Sequence, residues 1–145
     1  MAGIMTEQRR MLALDVGERR IGVAVSDGMV ASTAGVIYRK GTERDLEAIR
    51  NLVQRHEAGR VVVGLPLSLS GEIGPQARVT LEFVDALREA LAVPVETFDE
   101  RYTSADAEAT LRAQGVKVRK IRERVDEVAA ATILQGWLEA RQGSA

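Results

Sequence analysis

The chain has 145 residues, with 20 Lys plus Arg against 21 Asp plus Glu and a single His, for a net charge of −1. At 46% hydrophobic and 28% charged it carries apolar material for one core, so its length predicts a single domain over residues 1–145. With no cysteine it can form no disulfide, thiolate zinc site, iron–sulfur cluster or thiol nucleophile. One histidine leaves metal binding to carboxylates, which points to magnesium or manganese. No apolar run approaches the roughly 18 residues of a membrane span. The opening MAGIMTEQRR also lacks a signal peptide's apolar stretch. The expectation is a cytoplasmic protein with residues 1–9 as a flexible tail.

The first elements alternate in strand fashion. MLALDVG (11–17) and IGVAV (21–25), joined by the turn GERR, predict a β-hairpin, and ASTAGVIYR (31–39) predicts a third antiparallel strand. The period then changes. Thr42 with Asp45 reads as a capping box for a helix to about His56, with Leu46, Ile49 and Val53 on one face. The β-branched run RVVVGLP suits a strand buried on both faces, and Pro66 ends it. After the polar loop LSLSGEIGP, Pro75 opens a helix to about Ala92 that carries Val79, Phe83, Val84, Leu87 and Leu91.

VPVETFDER (93–101) predicts a fifth strand with acids at its exit. Thr103 with Asp106 caps a helix through about Ala113, and Gly115 ends it. Residues 125–140 form the last helix, with Val128, Ile133, Leu134, Trp137 and Leu138 apolar. The order β-β-β-α-β-α-β-α-α predicts an α/β fold. Its sheet has five strands, three antiparallel and then two parallel, covered by helices. Such sheets bind ligands at the carboxyl ends of their parallel strands.

Acids gather at those ends. Asp15 leaves the first strand, Asp99 and Glu100 leave the fifth, and Asp126 and Glu127 open the last helix. Clustered carboxylates repel one another unless a cation compensates. Two magnesium or manganese ions about 4 Å apart would do so and would form a phosphodiester-cleaving device. Against a net charge of −1, Lys117, Arg119, Lys120, Arg122 and Arg124 concentrate five cations in eight residues just before Asp126. That segment reads either as an exposed loop or as a phosphate-contacting guide for substrate.

Four separated motifs carry a resemblance: LALDVGERRIGVAVSD (12–27), VVVGLPLSLSGEIGPQA (61–77), FDERYTSADAE (98–108) and VDEVAAATILQGWL (125–138). In that order, and over nearly the whole chain, they resemble the YqgF/RuvX family. The resemblance implies an RNase H-like fold, kinship with RuvC-type Holliday junction resolvases and processing of the 5′ end of pre-16S rRNA. It implies a metal-dependent nuclease whose ligands are Asp15, Glu100 and Asp126. In the wider RNase H-like group the second acid usually leaves the fourth strand. Here that strand reads VVVGLP and offers none, so Glu100 of the fifth serves instead.

Each residue also has a plainer reading. Asp15 is a common residue before a turn glycine, and Asp126 in a helix's first turn gains from the macrodipole. Asp99 is divided between a supporting contact and solvent, and Glu127 is expected in water. Arg101 either contacts the scissile phosphate or caps a helix, and Arg19 and Arg20 are either solvated or on the nucleic-acid backbone. The loop 67–74 either closes over substrate or merely connects. His56 is expected as a helix C-terminal charge and Trp137 as core. Aromatics at 3% of the chain favour recognition by backbone shape and charge over base stacking.

The expected partner is therefore nucleic acid, either pre-rRNA within a preribosomal particle or branched DNA cut by a homodimer. Two other readings compete with the nuclease. One is a non-catalytic RNA-binding assembly factor that uses the basic patch. The other takes DVG as an actin-like ATPase loop, which needs two such domains where this chain supplies one.

Overall fold

β-Branched and small apolar residues dominate the strands, and their parity decides which layer each one joins. In a computed structural model describing residues 10–68, 70–99 and 118–143, with backbone alone for 118–123 and 141–143, five strands form one sheet. They are β1 (Met11–Val16), β2 (Arg20–Ser26), β3 (Ala31–Tyr38), β4 (Arg60–Leu65) and β5 (Val95–Asp99). The spatial order is β3-β2-β1-β4-β5, with the first three antiparallel and β1, β4 and β5 parallel, as the sequence predicts. Helices α1 (Thr42–Arg55), α2 (Pro75–Ala90) and α3 (Val118–Gly143) cover it.

Alternation divides the core in two. Leu12, Leu14 and Val16 of β1 join Ile21, Val23, Val61, Val63 and Val95 against Ile49 of α1 and Phe83, Val84 and Leu87 of α2. Met11, Ala13, Ala24 and Val62 face the other way, onto Ala130, Ile133, Leu134 and Leu138 of α3. The small residues on that side matter, because Ala13, Ala24, Ala129 and Ala130 are all fully buried and let α3 lie close to the sheet. Trp137 meets β5 at the far end, where its indole N–H donates to Glu96 at 3.0 Å. Arg60 there pairs with Glu96 at 2.8 Å and sits 5.5 Å from the Trp137 ring.

Several boundaries differ from the sequence reading. The last helix begins at Val118, not 125, so Arg119, Lys120, Arg122 and Arg124 lie on α3 and not in a loop. No glycine or proline interrupts 118–135, and Arg, Lys and Glu are good helix formers, so density of charge is not a break. Asp126 then falls in the third turn, where the macrodipole gives no account of it. At α1 the N-cap is Gly41 and Thr42 makes no cap. Asp45, 1% exposed, reaches back instead to the Lys40 amide at 2.9 Å and the Arg39 guanidinium at 3.0 Å. On α2, Val79 is 55% exposed and off the packed face of Ala77, Thr80, Phe83, Val84 and Leu87. The predicted helix 103–113 lies outside the described residues, as do Glu100, Arg101 and Lys117.

The Arg39–Asp45 pair has a measurable consequence. Asp45→Asn keeps an acceptor for the Lys40 amide but removes the charge facing Arg39, and should cost about 2 kcal/mol in chemical denaturation. An unchanged midpoint would show that α1 is held by its apolar face alone.

Candidate active site

β1 runs through the middle of the sheet and delivers Asp15 near its carboxyl end. Asp15 has the parity of Met11 and Ala13, so its side chain emerges on the α3 face. Directly across the antiparallel pair stands Gly22 of β2. A glycine inside a strand often marks a close backbone approach, and here the approaching chain is α3. A Cβ on Gly22 would lie 1.9 Å from the Asp126 carbonyl oxygen and 2.9 Å from the Glu127 nitrogen. The missing side chain is therefore the seat of α3, and it sets Asp126 over the strand pair that carries Asp15.

Two contacts fix the register of that seat. Arg20, of the same parity as Gly22, donates from Nε to Asp126 Oδ2 at 2.6 Å in a part-buried, charge-assisted bond. Glu127 is not in water as expected, because its Oε2 accepts the Gly35 amide at 2.9 Å. Gly35 has φ of 101°, and the β2–β3 register shifts beside it, between Val23 and Ala24. The irregularity turns a backbone N–H out of the ladder and towards the helix.

The β1–β2 turn is tight. Gly17 N–H donates to the Arg20 carbonyl at 2.8 Å, and Arg39 braces it by donating to the Gly17 carbonyl at 3.0 Å while its guanidinium lies 5.0 Å from the Phe83 ring. Beside the turn an open depression of about 290 Å³ is lined by Gly17, Glu18, Arg19, Arg20 and Asp126. Arg19 is exposed at its rim and Arg124 is exposed one helical turn before Glu127.

The structure thus brings Asp15, Arg19, Arg20 and Asp126 to one end of the sheet. Asp99 goes elsewhere: it pairs in register with Leu65 and shares the parity of Val95, on the α1–α2 face. Asp15 and Asp126 are oxygen donors of the kind a hard divalent cation takes. Among the described residues no three acids or histidines are grouped to hold one, and Glu100 follows Asp99 outside them. Sequence reasoning missed Arg39 and Gly22 as parts of this end of the molecule, and it placed Glu127 here but in water. Gly22 alone left a local signal, as the glycine inside IGVAV.

Comparison with known proteins follows the same line. The family model described as RuvX: Holliday junction resolvase matches residues 9–140. A protein of Chloroflexus aurantiacus named "Putative pre-16S rRNA nuclease" is 52% identical over 136 residues, covering 92% of this chain and 89% of that one. One of the same name from Anaeromyxobacter dehalogenans is 48% identical over 134 residues, covering 91% and 98%. Among solved structures, Thermus thermophilus RuvC in complex with a Holliday junction substrate superposes with a TM-score of 0.56 at 18% identity, covering 92% of this chain and 97% of that one. Fowlpox virus resolvase with Holliday junction DNA gives 0.52 at 10% identity, covering 91% and 98%. At these identities the likeness is one of fold, and the fold is that of RuvC-like resolvases.

Proposed function

This chain belongs to the RuvX family, and we propose that it is a divalent-metal-dependent nuclease that hydrolyses phosphodiester bonds of structured nucleic acid, acting on the 5′ end of pre-16S rRNA. The observation that carries this reading is the seating of Asp126 on Gly22, opposite Asp15, at the carboxyl end of the central strand. Asp15 and Asp126, with Glu100 supplied by the resemblance, are the residues that would hold magnesium or manganese. Bound there, the metal would supply activation of water and charge stabilisation of the departing oxygen.

The chain's own cations hold the rest of the substrate. Arg19 and Arg20 border the depression beside Asp126 and are placed to take phosphate oxygens. Arg101, Lys117, Arg119, Lys120, Arg122 and Arg124, which stand in the sequence between the fifth strand and Asp126, are the further cations this reading assigns to nucleic acid. No helix among the described residues is long and apolar enough to cross a membrane.

Cleavage of end-labelled pre-16S leader RNA and of a four-way DNA junction, each with Mn²⁺, Mg²⁺ or chelator, tests the reading. Metal-dependent cutting of the leader supports it. Cutting of the junction alone moves the substrate to branched DNA and requires a homodimer with two sites. Binding to RNA or preribosomal particles without any cutting would leave an assembly factor.

Arg20 gives an independent check. It is the partner of Asp126 without metal, so Arg20→Ala should lower stability in chelator by about 1 kcal/mol, the pair being about a quarter exposed. The same change frees the carboxylate, so Mn²⁺ measured by calorimetry should bind several-fold more tightly while substrate binds more weakly. Weaker Mn²⁺ binding in Arg20→Ala would mean that Arg20 orients Asp126 for the metal and does not compete with it.

A further inference from the structure

The strand beyond the acidic site ends in an exposed aromatic. Tyr38, the last residue of the edge strand β3, pairs in register with Arg20, so it stands at the same end of the sheet as the acidic site. It is 53% exposed. Among the described residues it is the one exposed aromatic: Phe83 is buried, and Phe98 and Trp137 are half-buried against α3 and β5. Past this edge an open groove of about 470 Å³, bordered by Tyr38, Lys40 and Arg44, turns onto the α1 face and reaches Asn51.

The ledge that carries these side chains is braced. The Arg39 amide donates to the Arg19 carbonyl at 2.8 Å, continuing the β2–β3 pairing past the strand ends. Asp45 then takes the Lys40 amide and the Arg39 guanidinium, so the backbone under Tyr38 and Lys40 is fixed from below. Asp45 is neutralised by that pairing, which leaves Glu47 as the other acid of the groove against exposed Lys40 and Arg44. The balance suits a polyanion. Along α1, Arg44 to Asn51 rises about 10 Å, room for about three nucleotides at 3.4 Å each.

We propose that this groove binds the substrate strand two or three nucleotides away from the cleaved bond, with Tyr38 stacking on a base and Lys40 and Arg44 on its phosphates. The proposal rests on the nuclease reading above and deepens it: it names a flank of the substrate and the residue that grips it. One fixed aromatic beside the cations sets where the strand leaves the site, a role that backbone charge alone does not fill. Stacking on an aromatic is sequence-tolerant, so the groove fixes the position of the strand and not its bases.

The test uses full-length protein in an Asp15→Asn background, to keep the probe intact. The probe is leader RNA or junction DNA, whichever the wild type cuts, with 2-aminopurine placed singly at the three positions on each side of the mapped bond. One position should be quenched on binding. Tyr38→Ala should restore its fluorescence and weaken binding about tenfold, Tyr38→Phe should keep both, and Lys40→Ala with Arg44→Ala should weaken binding and flatten its salt dependence. Trimming the three flanking nucleotides should weaken the parent about as much as Tyr38→Ala does, and should leave that variant indifferent.

If the parent binds its probe but Tyr38→Ala and the double variant match it in affinity, salt slope and fluorescence, the groove proposal is overturned and the nuclease reading stands. If the wild type neither binds nor cuts any probe, both fall together.

Discussion

Asp15→Asn should lower single-turnover cleavage about 1000-fold or more, roughly 4 kcal/mol in the barrier, while leaving the chain folded. Asp15 is half-buried at the carboxyl end of β1, on the α3 face, in register with the glycine that seats Asp126. Asparagine has nearly the same shape and keeps one oxygen, so the packing of Leu14 and Val16 on the opposite face is untouched. What is lost is a negative charge where the proposed mechanism needs anionic oxygens around a hard cation.

The variant should therefore bind nucleic acid with near-parent affinity, through Arg19, Arg20 and the basic turns of α3, and bind Mn²⁺ more weakly. Retained cutting within tenfold of wild type would remove Asp15 from the catalytic site. It would point to a chemistry that the acids at this end of the sheet do not perform.

Much of this arrangement is legible in the sequence, for a physical reason. Strand parity is a local property: LALDVG and RVVVGLP state which residues face which layer, and with right-handed crossovers the sheet follows. The place of Asp15 near the carboxyl end of the first strand is legible for the same reason, because it follows from that strand's bounds. The start of α3 is less so, since a run of Arg, Lys and Glu has the same composition in a solvated loop as in an exposed helix. Least legible are the partners of long-range polar contacts. Nothing near Glu127 tells that the Gly35 amide, 92 residues away, will need an acceptor, and nothing near Arg20 tells that it will meet Asp126. Those pairs exist only once a bulge in β3 and a glycine in β2 have been brought under the same helix.

Gly22→Ala is the substitution that isolates that last dependence, because it adds one methyl group and no charge. The new Cβ would stand 1.9 Å from the Asp126 carbonyl oxygen and 2.2 Å from its carbon. Both are backbone atoms, so no rotamer relieves the clash. To regain ordinary contact at 3.4 Å, α3 must lift by about 1.5 Å. That shift pulls Asp126 from Arg20 and Glu127 from Gly35, and opens the face where Ala129 and Ala130 are fully buried.

Overpacking of this kind should cost about 3 kcal/mol, or about 10 °C in Tm for a domain of this size. Well below the new midpoint, cleavage should still be down about 100-fold, since misplacement by an ångström suffices for that. Gly74→Ala is the control: nothing lies within 4 Å of its added methyl, and as the cap of α2 it should change stability by no more than about 1 kcal/mol. A Gly22→Ala protein with parental Tm and parental cleavage would mean that α3 does not rest on β2 at this point. The seating of Asp126 over the strand pair that carries Asp15 would then lose its structural basis.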